Sequence, residues 1–153
     1  MTRTDSAVPA IRAATERDAP EIARLLTALG HPTATAATRD RWPEWSAAGN
    51  AALVAADASE RLIGVVTLHR MTVLHRPRPV GRITALIVDE TARGRGVGRA
   101  LVAAAEAELA RAGCGLLEIT SNFRLVEAHA FYAHLGYETT SVRFAKSLAP
   151  ATE

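Results

Sequence analysis

The run from Val80 to Thr120 constrains the fold most. It reads as a strand, "VGRITALIVDE", then a glycine-rich turn, "ARGRGVG", then the alanine-rich stretch "VGRALVAAAEAELARAG", then a second apolar run, "GLLEIT". Alanine and leucine are strong helix formers, and Leu101, Ala105 and Leu109 share one helical face, with Gly113 as the stop. A strand, a helix and a returning strand make a crossover unit, which brings the two strands side by side and parallel. The segments before it read as antiparallel strands, so the fold class is a mixed α/β (α+β) sheet.

The remaining elements follow from periodicity. "AIRAAT" predicts a short strand, closed by the capping-box-like "TERD". Ile22, Leu25, Leu26 and Leu29 have helical spacing over Asp18 to Leu29, and Gly30 ends that helix. A second helix is expected from about Thr35 to Ala48, interrupted by Pro43 and carrying Trp42 and Trp45. "AALVAAD" and "RLIGVVTLHRMTVLH" predict strands around a turn at Ala58-Ser59, with "RPRP" as the next turn. "GLLEIT" is expected to be a buried strand, "LVEAHAFYAHLG" a helix capped by Gly136, and "YETTSVRFAKSL" one or two last strands. A length of 153 residues fits one domain, over residues 9–148, with residues 1–8 and 149–153 as disordered tails.

Charge and cysteine content narrow the function classes. Eighteen basic and 16 acidic residues give a net charge of +2, too little for a bulk nucleic-acid binder, whose affinity grows with the phosphates it neutralises. A single cysteine, Cys114, excludes an internal disulfide and a multi-cysteine metal site, so no metal is expected. With no apolar N-terminal stretch and no run of about 18 apolar residues, the expectation is a soluble cytoplasmic protein with no membrane partner.

The glycine turn asks for an anion. It lacks the Gly-Lys of a Walker loop, and Gly94, Gly96 and Gly98 miss the spacing of the dinucleotide fingerprint, with Arg99 where the third glycine belongs. What fits is a nest of backbone N–H groups at a helix N-terminus, with Arg93, Arg95 and Arg99 to neutralise phosphate charge. A tight turn bearing solvated arginines would read the same way.

"LIVDETARGRGVGRALV" resembles the acetyl-CoA-binding motif of the GNAT superfamily of N-acetyltransferases, matched here by Arg93, Gly96 and Gly98. "TSNFRLVEAHAFYAHLGY" is similar to a second segment of that family, and the element order agrees over about residues 10 to 148. The resemblance implies acetyl-CoA as cosubstrate, lodged between splayed parallel fourth and fifth strands. Its pantetheine arm would pair with main-chain groups near Leu86, Ile87 and Val88, and its pyrophosphate would rest on the N–H groups of Gly94, Arg95, Gly96, Val97, Gly98 and Arg99. A bulge or splay in the fourth strand would aim an N–H at the thioester oxygen.

Acetyl transfer to an amine needs a neutral nucleophile, a stabilised oxyanion and a proton for the leaving thiolate. Tyr132 matches the family tyrosine of "FY…LGY" and is the candidate acid; Phe131 reads as core. Asn122 matches a position that contacts pantetheine or substrate, and equally suits a turn after a strand. His129 shares a helix face with Tyr132 and is the candidate base. Glu118 depends on which face of its strand it occupies, Glu127 reads as solvated, and a water chain could replace any of them.

Trp42 and Trp45 lie where such enzymes recognise the acceptor, as pocket walls or as core. The version of the second motif resembles small-molecule enzymes acting on aminoglycosides or aminoalkylphosphonates. His69, Arg70, His75, Arg76 and Arg78 would favour an acidic amine, or form a solvated basic hairpin. A protein or peptide acetyltransferase and a silent acyl-CoA-binding module are the alternatives. The short C-terminal part suggests a homodimer that covers an exposed strand edge.

Overall fold

The computed structural model describes residues 9–150. Chain contacts divide these residues into two units, one ending at Ile119 and the other beginning at Thr120. The first unit is a five-stranded sheet in the order β1 (Ala10–Ala13), β2 (Asn50–Ala56), β3 (Leu62–Met71), β4 (Val80–Val88) and β5 (Leu116–Ile119). Each neighbouring pair among the first four strands is antiparallel, and β4 and β5 are parallel, joined by the long helix α3 (Val97–Arg111) as the crossover rule requires.

Helices α1 (Ala19–Ala28) and α2 (Thr35–Ala47) precede the meander. On one face of the sheet, Ile22 and Leu25 of α1 join Val54, Val65 and Ile87 in a buried cluster, with Trp42 and Trp45 of α2 packed against it. On the other face α3 presses close. A Cβ at Gly64 would lie 2.8 Å from Leu101, and one at Gly81 would lie 2.6 Å from Leu109. Glycine at these two strand positions lets the helix approach the sheet.

Three expectations are corrected. Pro43 does not interrupt α2, which runs unbroken from Thr35 to Ala47. Losing one N–H costs less than unpacking Trp42 and Trp45, which sit three residues apart on one side with ring centroids separated by 5.1 Å. The turn after β2 falls at Ala58-Ser59 as expected, closed by the Glu60 N–H on the Asp57 carbonyl at 3.0 Å; the Asp57 side chain also accepts from the N–H groups of Ser59 and Arg61, and Glu60 leaves the turn at a left-handed φ of 64°. β5 is not buried, because it is the last strand of the sheet, and Leu116 is 41% exposed.

The third correction concerns the second unit. Its helix α4 (Val126–His134) ends as expected, with Gly136 at φ 95°, but "YETTSVRFAKSL" forms no strand. Val142, Phe144 and Leu148 lie exposed at 77, 92 and 92%. An apolar alternation becomes a strand only where a neighbouring strand takes up its hydrogen bonds.

Candidate active site

The exit from β4 is pinned by Asp89, whose side chain is 8% exposed. It accepts hydrogen bonds from the Thr91 hydroxyl (2.7 Å), the Thr91 N–H (3.0 Å) and the Arg24 guanidinium (2.7 Å). The Thr91 hydroxyl, then Arg24, hold this carboxyl well below the usual carboxylate range. Arg24 also donates to the Leu62 carbonyl at 2.8 Å, tying α1 to the start of β3 and the end of β4 together.

The glycine turn follows. Gly94 and Gly96 both take left-handed φ, 76° and 80°, with open space where a side chain would stand. Gly96 is the N-cap of α3, and no side chain caps the helix. The first helical bond runs from the Ala100 N–H to the Gly96 carbonyl. Among the described residues, the N–H groups of Gly94, Arg95, Gly96, Val97, Gly98 and Arg99 have no protein acceptor. Unsatisfied donors at a helix N-terminus, with the dipole behind them, form an anion cradle. Arg93 differs from its neighbours by folding back, its Nε 3.4 Å from the Val88 carbonyl.

β4 is irregular just upstream. Thr67 pairs with Ala85 and Leu68 with Ile83, so Thr84 is an extra residue, a β-bulge. Its Oγ1 lies 2.7 Å from Oγ1 of Thr67. Pairing with β5 covers only Val80 to Ile83, so the edge from Thr84 through Leu86, Ile87 and Val88 has no strand beside it among the described residues. That edge can pair with an extended ligand. Thr67 and Thr84 were not singled out from sequence, because neither residue type marks a bulge.

Register places Glu118 on the face that carries α1 and α2. It stands beside Arg82, which stands beside His69, two residues from Thr67. Arg82 Nε donates to Glu118 at 2.9 Å, so this carboxylate is committed to an ion pair. Nδ1 of His69 is buried with no partner among the described residues. Cys114 closes α3, its N–H bonded to the Leu109 carbonyl at 3.0 Å.

In the second unit, Asn122 shapes the approach to α4. Its Oδ1 accepts the Arg124 N–H at 3.0 Å, and its carbonyl accepts both the Leu125 N–H and Nε2 of His129, at 2.9 Å each. A carbonyl only accepts, so Nε2 of neutral His129 carries the proton and Nδ1 is the free base. Tyr132 packs edge-on against Phe131 (5.3 Å) and Tyr137 (6.0 Å), and burial pushes its hydroxyl pKa up. No partner holds that hydroxyl among the described residues. Glu127 is exposed.

Residues 18–137 match the model of the acetyltransferase (GNAT) family. The chain belongs to that family. Its members take the acetyl group from acetyl-CoA, and the open glycine cradle is a fit place for the donor's phosphates. An aminoglycoside N(6')-acetyltransferase of Stenotrophomonas maltophilia is 32% identical over 151 residues, covering 95% of this chain and 98% of that protein. An aminoalkylphosphonate N-acetyltransferase of Salmonella typhimurium is 37% identical over 87 residues; there the match spans 57% of this chain and just over half, 56%, of the relative. A solved acetyltransferase of Trypanosoma brucei shares the fold with a TM-score of 0.78 at 25% identity, over 91% of this chain and 99% of that one.

Proposed function

We propose that this acetyl-CoA-dependent GNAT acetyltransferase acetylates the primary amine of a small molecule by direct attack in a ternary complex. The carrying observation is the anion cradle at the N-terminus of α3, continuous in sequence with an unpaired β4 edge and its Thr84 bulge. The cradle would hold the pyrophosphate on the N–H groups of residues 94–99. The edge at Leu86 to Val88 would pair with the pantetheine arm. Both relatives are named for small amine acceptors, which supports the acceptor class.

The amine, with a pKa near ~10.4 when free, must first lose its ammonium proton, and Nδ1 of His129 is the proposed acceptor. The amine nitrogen then bonds to the acetyl carbon and the carbon–sulfur bond breaks. One proton leaves the new amide nitrogen and one arrives on the CoA sulfur. Tyr132 stays protonated at neutral pH because burial opposes the phenolate. It is therefore suited to donate to the departing thiolate, and the amine's proton replaces its own.

CoA release from acetyl-CoA over a panel of small amines tests the reading. No release with any amine, despite acetyl-CoA binding, would leave a silent acyl-CoA-binding module; release only with peptides would make the acceptor a protein. We further infer a cytoplasmic homodimer, supported by the exposed β5 edge, the exposed Val142, Phe144 and Leu148, and a free Cys114 suited to a reducing compartment. Sedimentation as a strict monomer would refute the dimer.

A further inference from the structure

A separate cavity of about 250 Å³ opens on the face of the sheet opposite α3. Ile22 and Leu26 of α1, Arg41, Trp42 and Trp45 of α2, and Thr67 of β3 line it. The two indole rings are tilted by 47° to each other, giving the wall an aromatic corner. Thr67 connects this cavity to the site described above, because its hydroxyl touches that of the bulge residue Thr84. An amine lodged here therefore lies beside the irregular stretch of β4.

The lining also fixes a charge preference. It contains no Asp or Glu, and its one charged residue, Arg41, has no ion-pair partner among the described residues. A polycationic acceptor needs carboxylates to replace its water, and here it would meet a like charge instead. The volume falls below the roughly 300–1,000 Å³ of pockets for drug-sized ligands, so the occupant is small.

We propose that this cavity is the acceptor site and that it selects a primary amine carrying both an apolar body, a single ring or branched alkyl group against Trp42 and Trp45, and an oxyanion, carboxylate or phosphonate, on Arg41. A planar guanidinium pairs with either oxyanion through two parallel hydrogen bonds. The assignment rests on the acetyl-transfer reading but deepens it to a substrate class, with Arg41 as the specificity-determining residue.

Both tryptophans of the chain line this cavity, so intrinsic fluorescence reports on it without any turnover. The full chain would be titrated with phenylalanine, its aminophosphonate analogue, phenethylamine and kanamycin, and the same four compounds assayed for acetyl-CoA-dependent CoA release. The two anionic ring amines should saturate the fluorescence change at concentrations at least ~10-fold below phenethylamine, with kanamycin silent. Comparison of carboxylate with phosphonate identifies which oxyanion fits better. Arg41 is exposed, and Arg41→Ala should raise KM for the anionic amines while leaving their kcat, and phenethylamine, unchanged. A fluorescence response without turnover would uphold the cavity and overturn acetyl transfer. Turnover with KM indifferent to Arg41→Ala, or a fluorescence response led by kanamycin, would overturn this assignment and leave the acetyltransferase standing.

Discussion

Gly96 separates two properties of the cradle, its backbone shape and its charge. At φ 80° it sits where an L side chain is strained, yet a Cβ there meets nothing within 4 Å. Gly96→Ala therefore costs only the left-handed conformation, about 1–2 kcal/mol. For a domain of this length that lowers Tm by about 2–8 °C. Gly96→Asp carries the same backbone strain and adds one negative charge. Taking about 5 Å to a phosphate on the neighbouring N–H groups, and an effective dielectric of ~20–80, each unit of phosphate charge is repelled by about 1–3 kcal/mol. That is about 5- to 150-fold in affinity per charge. Calorimetric titration with CoA should show the alanine variant within a few-fold of wild type and the aspartate variant weakened by at least ~10-fold, with matched ligand-free melting temperatures. If both variants bound CoA alike, the cradle would not be electrostatic. If both lost binding alike, backbone shape alone would matter, and the charge argument would fail.

Asp89→Asn should cost about 3 kcal/mol at neutral pH, since Arg24 and Arg61 lose their buried carboxylate. Because the folded carboxyl titrates below its unfolded value near ~3.9, this stability is present above about pH 4 and drains away below it. The Tm gap between wild type and variant should therefore narrow on acidification, and a gap independent of pH would refute the ion pair. Gly81→Ala forces a Cβ to 2.6 Å from Leu109, itself 4% exposed, and should lower stability by about 1–3 kcal/mol in denaturant melts with CoA affinity retained. An unchanged midpoint would show that α3 can retreat. Tyr132→Phe should cut kcat by at least ~10-fold and spare CoA affinity; a rate within twofold of wild type would return Tyr132 to a packing role.

What was legible in the sequence was local. The left-handed glycines at 94 and 96, the helix stops at Gly30, Gly113 and Gly136, and the parallel return of β5 follow from conformational freedom and connectivity within a few residues. What was hidden depended on distant partners. Arg24 and Asp89 lie 65 residues apart, and nothing near either one announces the other. The strand expected after Tyr137 failed for the same reason. Val142 and Phe144 alternate correctly, but alternation supplies one side of a ladder and says nothing of the other. Pro43 shows the converse, a local rule outweighed by the packing of its helix.

The Thr84 bulge is where that limit bears on function. Side chains alternate along a strand, so Ile83 and Ile87 should share a face, yet Gly81, in step with Ile83, meets Leu109 of α3, while Ile87 packs with Ile22 of α1. One inserted residue reverses the alternation midway. Upstream of it, β4 turns Arg82 toward Glu118 on the α1 side; downstream, Ile87 fills that face and the β4 edge runs on, without a strand beside it, toward the glycine cradle. The bulge thus lets one strand cover the floor of the α1–α2 face and present a free edge, the one proposed above for the donor. Its hydroxyl contact with Thr67 sets that floor and that edge one side chain apart. Any substitution that heals the bulge would flip either Arg82 or Ile87 to the wrong face, so the irregularity is held in place by the core on both sides.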